Sequence, residues 1–280
     1  MRGTRGKLIT VFNPYKHGAG STTIANGLGI CLGYYTGKKV LLVNKSGCWS
    51  SMERFIEGDI HVQYTIDNLK VYNSSIKGNT IKTYATMINE NLYMVAGSTI
   101  SNEAERHDYD FEERFIEESV KAFDIVVADV PSGVKYENAK YIEKADIIIA
   151  VVKYNEIDLD DIYESAGMSN IRDCLSRDNT HIAVNFMDKD WDMPKETERL
   201  KKKYGLGETY GFAYDGSVIN ACCKKRKMYS YLCEELGSEN NIFPQQLKEF
   251  TDMLMGKLGC CSIEKHKKGI FDFLLRSRRI

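Results

Sequence analysis

Short apolar runs alternate with amphipathic segments along most of the chain. Runs rich in β-branched residues predict buried strands, and apolar residues at helical spacing predict helices that cover them. The predicted strands are residues 7–12, 39–43, 91–96, 124–129, 146–152, 181–187 and 209–215. The predicted helices are residues 22–36, 112–122, 158–176, 196–204, 218–222 and 243–258, with helices and loops mixed between 48 and 90. This alternation predicts an α/β fold: a doubly wound, mostly parallel sheet with helices on both faces.

A loop with two glycines follows the first predicted strand. Asn13-Pro14 ends the strand, and Gly18 and Gly20 allow a tight turn that points backbone N–H groups inward. The helix that opens at Thr22 adds free N–H groups and the positive end of its dipole. An ordinary glycine turn is the alternative, but strand, loop and helix together predict a phosphate cradle. Its residues are Gly18, Ala19, Gly20, Ser21, Thr22 and Thr23.

This stretch resembles the deviant Walker A motif of the MinD/ParA family of P-loop ATPases, K-G-G-x-G-K-[ST]-T. The resemblance implies ATP and Mg²⁺ as cofactors, with Thr22 as a metal ligand. It also implies a homodimer across the nucleotide, in which Lys16 acts catalytically by reaching the partner subunit's phosphates. Two positions depart from the motif: His17 replaces a glycine, and Ser21 replaces the P-loop lysine. Losing that charge-assisted contact weakens nucleotide binding about ten- to hundredfold.

The second predicted strand carries a further departure from the family pattern. In the family this strand runs into D-x-D, whose first acid orients the attacking water, whereas this chain has Asn44 and Ser46. An amide hydrogen-bonds water but does not act as a carboxylate does. With Ser21, Asn44 at this catalytic position indicates an ATPase with weak or absent hydrolysis. Lys45 is either a replacement charge or, as we expect, a solvated lysine.

Two later strand ends supply further candidate site residues. The run D-V-P-S-G resembles the family's Walker B and switch II element, D-x-P-x-G, which implies that Asp129 holds Mg²⁺ and that Gly133 lets the loop move. A strand capped by an ordinary turn is the alternative. The family also places an adenine-contacting Asn where Asn185 stands, although an Asn at a strand end is a common cap. The segment from Tyr214 to Ala221 resembles the family's Y-D-x-x-V-x-x-A.

Composition adds little about partners. The chain has 280 residues, 43% of them hydrophobic, and a net charge of -1, which suits one large α/β domain. We expect residues 1–259 to form this domain and residues 260–280 to form a tail. The basic start does not resemble a signal peptide, and no apolar run reaches transmembrane length. The spacings of the eight cysteines match neither a zinc site nor a redox motif, which predicts reduced thiols in the cytosol.

The predicted tail is basic and amphipathic. A helix that starts at Gly269 and runs to the final Ile280, residues 269–280, places its apolar side chains on one arc and its arginines opposite. Such a segment suits an anionic membrane surface. It is similar in character to the family's C-terminal membrane-targeting helix, which implies a cytoplasmic protein held peripherally at the inner face of the cell membrane. The alternatives are a helix packed on the body or a frayed end.

The resemblance indicates an atypical MinD/ParA-like ATP-binding protein that positions or assembles a membrane-associated machine for an unknown protein cargo. A pilus or secretion role of the TadZ/CpaE type and a MinD-like role at the division site both remain open. The alternative is a ParA-type partition ATPase that binds DNA nonspecifically through the four cations at 224–227 and those of the tail. An active ATPase with another lysine in place of Ser21 is the third hypothesis.

Overall fold

The computed structural model describes residues 5–45, 52–58, 60–100, 109–134, 136–236 and 241–259. In this part of the chain eight strands form one sheet, in the order β3-β4-β2-β5-β1-β6-β7-β8. All neighbouring strands are parallel except β3 and β4, which are antiparallel. The strands are β1 Lys7–Phe12, β2 Val40–Asn44, β3 Thr86–Met87, β4 Leu92–Val95, β5 Ile125–Asp129, β6 Ile147–Lys153, β7 Thr180–Met187 and β8 Glu208–Ala213.

Helices cover both faces of this sheet, which confirms the predicted α/β class. The longer ones are Ser21–Thr36, Tyr109–Ala122, Tyr136–Lys144, Glu156–Glu164, Met193–Tyr204, Met228–Glu235 and Ile242–Lys257. Shorter ones are Met52–Ile56, Ile66–Lys70, Gly78–Tyr84, Ser169–Leu175 and Gly216–Ile219. Because successive strand residues point to opposite faces, Leu8 and Phe12 enter one apolar core and Ile9 and Val11 the other.

The first helix, Ser21–Thr36, lies against the sheet and is covered in turn by the helix Ile242–Lys257. All of its residues from 24 to 33 are buried. The helix Ile242–Lys257 lies so close to the first helix that a Cβ on Gly27 would be 2.7 Å from Leu247 Cδ2. The first helix ends at Gly37, whose left-handed backbone (φ +63°) is the usual helix stop. This packing fixes the start of the helix over the carboxyl end of β1.

Several elements differ from the sequence predictions. The single helix predicted for 158–176 is wrong, because the chain forms Glu156–Glu164, a short 3₁₀ turn and Ser169–Leu175. Ser165 has an extended backbone at the break. The Arg172 guanidinium donates to the carbonyls of Ile162 and Ser165, which gives hydrogen-bond partners to carbonyls at the end of the helix Glu156–Glu164. The predictions also lack β3 and the helices Tyr136–Lys144 and Met228–Glu235.

Residues 260–280, predicted to form the tail, lie outside the described residues, as does Ser46. The division at residue 259 therefore stays a prediction. In the part of the chain that is described, no helix is both long enough and apolar enough to cross a membrane.

Candidate functional site

The glycine loop lies at the carboxyl end of β1, at the centre of the sheet. Gly18 (φ +84°) and Gly20 (φ +87°) both adopt the left-handed conformation that favours glycine. Gly20 is the N-cap of the first helix, and among the described residues no side chain caps this end and no acid lies in its first turn. The first N–H groups, at Ser21, Thr22 and Thr23, have no intrahelical acceptor. The predicted anion cradle therefore has the backbone it requires.

Thr22 and Asp129 meet beside this helix start. The Thr22 hydroxyl donates to Asp129 Oδ2 at 2.7 Å. Asp129 is fully buried at the end of β5, where it pairs in register with Val11 of β1 and Asn44 of β2. Hydroxyl and carboxylate oxygens suit Mg²⁺, which commonly takes one or two protein ligands together with phosphate oxygens and water. Among the described residues no group of three or more His, Cys, Asp or Glu side chains could hold a metal ion.

Lys16 lies beside the loop but turns toward the helix Glu156–Glu164. Its amino group donates to Asp158 Oδ1 at 2.7 Å and to Asp161 Oδ2 at 3.5 Å, and it lies over the Tyr15 ring. The hydrogen bond to Asp158 holds the pKa of Lys16 above its ordinary value. Within one chain the lysine is thus an ion-pair partner of this helix. Its predicted role toward a partner subunit stays a prediction.

Asn185 supports the loop from β7. Its Nδ2 donates to the Ala19 carbonyl at 2.8 Å, and its Oδ1 accepts from the Phe186 N–H at 2.9 Å. In this conformation the Asn185 side chain holds the glycine loop through the Ala19 carbonyl. Its contact with adenine stays a prediction. Sequence reasoning missed the adjoining aromatic pair: Phe186 is 37% exposed, Tyr214 is 58% exposed, and their ring centroids are 6.3 Å apart. Exposed rings of this kind can stack on a planar group.

Asn44 is buried and bonds to a carboxylate that the sequence analysis did not identify. Its Nδ2 donates to Glu53 Oε1 at 2.6 Å, and the Gly97 N–H donates to the same oxygen at 2.6 Å. A Cβ on Gly97 would lie 2.7 Å from Asn44 Nδ2, so this contact requires glycine. Glu53 comes from the helix Met52–Ile56, and no local motif marks it. A cavity of about 270 Å³ opens next to this group and contains Glu57 and Arg226 in its wall.

Lys45 is buried, which contradicts the predicted solvated lysine. Its amino group forms an ion pair with Glu112, and Tyr141 Oη donates to Glu112 Oε2 at 2.9 Å. Burial raises the pKa of Tyr141 well above its ordinary value, and the charge of Glu112 adds to this. Lys45 follows β2 near the centre of the sheet, where the helix Tyr109–Ala122 excludes water. In this conformation Lys45 is paired with Glu112, and its role as a replacement charge stays a prediction.

The loop after β5 is tied to the glycine loop. Ser132 Oγ and His17 Nδ1 are 3.1 Å apart, and the Gly133 N–H donates to the Asn13 carbonyl at 2.7 Å. Gly133 has a φ of +84°, which explains the glycine at this position. Asn138 holds the other side of the turn by donating to the Pro131 carbonyl at 2.9 Å. The residue that departs from the family motif, His17, thus links the two loops.

No protein-family model matches the sequence, and no curated protein matches it either. Solved structures do match. A ParA family ATPase from Chlorobium tepidum TLS has a TM-score of 0.72 at 12% identity, over 88% of this chain and 99% of that one. MinD in the MinC:MinD complex from Aquifex aeolicus has a TM-score of 0.68 at 17% identity, over 89% of this chain and 96% of that one.

A third match is MinD from Pyrococcus horikoshii OT3 complexed with Mg-ADP, with a TM-score of 0.66 at 19% identity, over 90% of this chain and 98% of that one. All three similarities extend over nearly the whole of both chains. The chain therefore has the fold of the MinD/ParA-type P-loop ATPases.

Proposed function

We propose that this protein binds ATP with Mg²⁺ at the glycine loop and hydrolyses it weakly or not at all. The observation that carries the proposal is the 2.7 Å hydrogen bond from Thr22 to Asp129 beside an uncapped helix start. These two oxygens would hold the cation, which neutralises phosphate charge when bound. The N–H groups at the helix start would bind phosphate oxygens. The Pyrococcus MinD of the same fold was solved with Mg-ADP, which supports this choice of ligand.

Titration calorimetry with ATP and Mg²⁺ tests the site. Thr22→Val removes the hydroxyl beside Asp129, so we expect the affinity for Mg·ATP to fall about tenfold or more, since hydrogen bonds to charged groups are the stronger class. Thr36→Val is the matched control, because the same change at the other end of the helix removes only local hydrogen bonds, one to the Leu32 carbonyl and one from the Lys38 N–H. Equal affinities for the two variants, or no binding by the wild type, would contradict the proposal.

Weak hydrolysis follows from Ser21 and Asn44. Ser21 has no charge for the phosphates, and Asn44 donates to Glu53 where the family has an acid. Replacing Asn44 by Asp alone would set two carboxylates about 2.6 Å apart, which favours protonation or displacement of one of them. We therefore expect that Asn44→Asp raises ATP turnover only together with Glu53→Gln and Ser21→Lys. Brisk turnover by the wild type would exclude this part of the proposal.

The cellular role that we infer is the positioning or assembly of a machine at the inner face of the cytoplasmic membrane. The Aquifex MinD of the same fold is in complex with MinC, which supports a protein partner for this chain. A homodimer across ATP would release Lys16 from Asp158 and Asp161. The mass in solution with and without ATP tests the dimer. Sedimentation with anionic liposomes, before and after deletion of residues 269–280, tests the membrane role.

Nonspecific DNA binding is the second candidate, and the basic segment at 224–227, where the helical residues Asn220–Lys225 end, favours it. Its four side chains are exposed, and none has a carboxylate within 4.0 Å in the described part of the chain. Cations without acidic partners bind phosphates readily. DNA affinity that falls steeply with salt and survives deletion of residues 269–280 would support this function over the membrane role. Loss of liposome binding on that deletion would support the reverse.

A further inference from the structure

Lys153 is the last residue of β6, the strand next to β1. Phe12, the last residue of β1, pairs with Ala150, so β6 extends past β1 and brings Lys153 level with the glycine loop. The Lys153 amino group lies 3.6 Å from the point that a Cβ on Gly18 would occupy, and its Cε lies at 3.8 Å. The lysine thus reaches the loop from the neighbouring strand.

The backbone holds Lys153 firmly in this place. The residue pairs with Asn185 of β7, and its carbonyl accepts from the Asn155 N–H at 2.7 Å. Tyr154 N–H donates in turn to the Asn185 carbonyl at 2.8 Å. Asn185 is the residue whose side chain bonds to the Ala19 carbonyl of the loop. The strands β6 and β7 therefore hold Lys153 in place, and β7 also supports the loop through Asn185.

Lys153 forms no ion pair with another side chain in the described part of the chain. Within the described residues no carboxylate lies within 4.0 Å of its amino group, whereas Lys16 is paired with Asp158 and Asp161 and Lys45 with Glu112. The Lys153 side chain is half-buried, and an ammonium group without an ion-pair partner is free to bind an anion. The loop beside it lacks the lysine that its motif resemblance implies, because Ser21 stands there.

We propose that Lys153 supplies, from the neighbouring strand, the phosphate-contacting cation that Ser21 lacks. The inference rests on the proposed nucleotide site and identifies one of its specificity-determining residues. The ligand is a polyphosphate, since the ammonium approaches the loop at Gly18 while the helix N–H groups approach from Ser21 to Thr23. The cradle then has its positive charge at the end of β6.

Calorimetric titration with Mg·ATP tests this assignment through affinity alone. Lys153→Met keeps the length of the side chain and removes its charge, and we expect a loss of about ten- to hundredfold in affinity. Lys38→Met makes the same change in net charge before the amino end of β2, whereas the glycine loop lies at the carboxyl end of its strand, and should bind as the wild type does. Lys153→Arg should keep most of the affinity. Lys153→Gln is a second uncharged variant, and urea unfolding without ligand verifies that each variant is folded.

A second experiment tests whether a lysine at position 21 and Lys153 would contact the same phosphates. Ser21→Lys should raise the affinity for Mg·ATP more in the Lys153→Met background than in the wild type, because two cations that serve one anion are not additive. Wild-type affinity in both Lys153→Met and Lys153→Gln would overturn the role of Lys153 and leave the nucleotide site standing. A wild type that binds no Mg·ATP would overturn the proposed function, and the role of Lys153 with it.

Discussion

The backbone of the glycine loop leads to a sharp prediction for Gly20→Ala. A residue other than glycine in the left-handed conformation costs about 1 kcal/mol. The new Cβ would also lie 2.4 Å from Asn185 Nδ2, so the amide has to move. That movement breaks a buried hydrogen bond to the Ala19 carbonyl, a loss of about 1 kcal/mol, and the displaced side chain adds strain of about 1 kcal/mol. We expect the free energy of unfolding to fall by about 3 kcal/mol.

Gly37→Ala is the matched control. Gly37 also has a positive φ, +63°, but a Cβ there meets nothing within 4 Å. The control should therefore lose only the backbone part, about 1 kcal/mol. Urea unfolding followed by circular dichroism measures both changes on one scale. Because the mutation displaces the loop, Gly20→Ala should also weaken Mg·ATP binding, while Gly37→Ala should not.

A double-mutant cycle separates the steric part from the backbone part. Asn185→Ala removes the side chain that the new Cβ would meet, so Gly20→Ala should cost about 1 kcal/mol in that background, as at Gly37. The reasoning is refuted if Gly20→Ala destabilises the protein no more than Gly37→Ala, or if Asn185→Ala leaves its cost unchanged. Either result would mean that the Asn185 amide does not support the loop.

Three other predictions concern groups away from the loop. Burial, with Lys257 adding, lowers the pKa of His181 from 6.5, so the unfolded chain takes up a proton first as the pH falls. Stability should be full above pH 6.5 and decline through the pKa of the folded state, and urea unfolding of His181→Gln should show a smaller decline. Glu112→Gln strands the buried Lys45 charge, so unfolding should become easier by about 3–5 kcal/mol, and adding Lys45→Met should recover much of this. Burial raises the pKa of the Cys174 thiol to about 11, whereas Cys223 is exposed. Mass-spectrometric mapping should find maleimide on Cys223 before Cys174, and the reverse order would contradict the described packing.

The strands were predictable because a parallel sheet buried on both faces uses nearly continuous apolar runs. The run at Lys7–Phe12 matches β1, and the other predicted strands lie within a few residues of the observed ones. The helix Tyr136–Lys144 escaped prediction because it is short and mostly polar, and its buried side chains include Tyr141 and Ile142. A helix this short is not stable alone, so its place depends on the sheet that it covers.

The site residues also fall into two groups, those that the sequence predicts and those that it does not. The glycine loop and Asp129 were predictable because each belongs to a continuous motif at the end of an apolar run. Glu53 and Lys153 were not, because their place in the site depends on which strands become neighbours. The prediction that Lys45 is solvated was wrong for a related reason. Its partner Glu112 is distant in sequence, so no local pattern indicates the buried ion pair.

The order of the central strands has a consequence for how the binding site comes into existence during folding. The site residues lie at or near the carboxyl ends of five strands that are adjacent in the sheet, β2-β5-β1-β6-β7, although they are far apart in sequence. They are Asn44, Asp129, the glycine loop, Lys153 and Asn185. Pairings between such distant segments form slowly, since long loops have to close first. A nascent or truncated chain that ends before β7 carries the loop without the Asn185 amide that braces it. Nucleotide binding should therefore appear only when the whole sheet has formed, and a chain that contains the loop but lacks β7 should not bind.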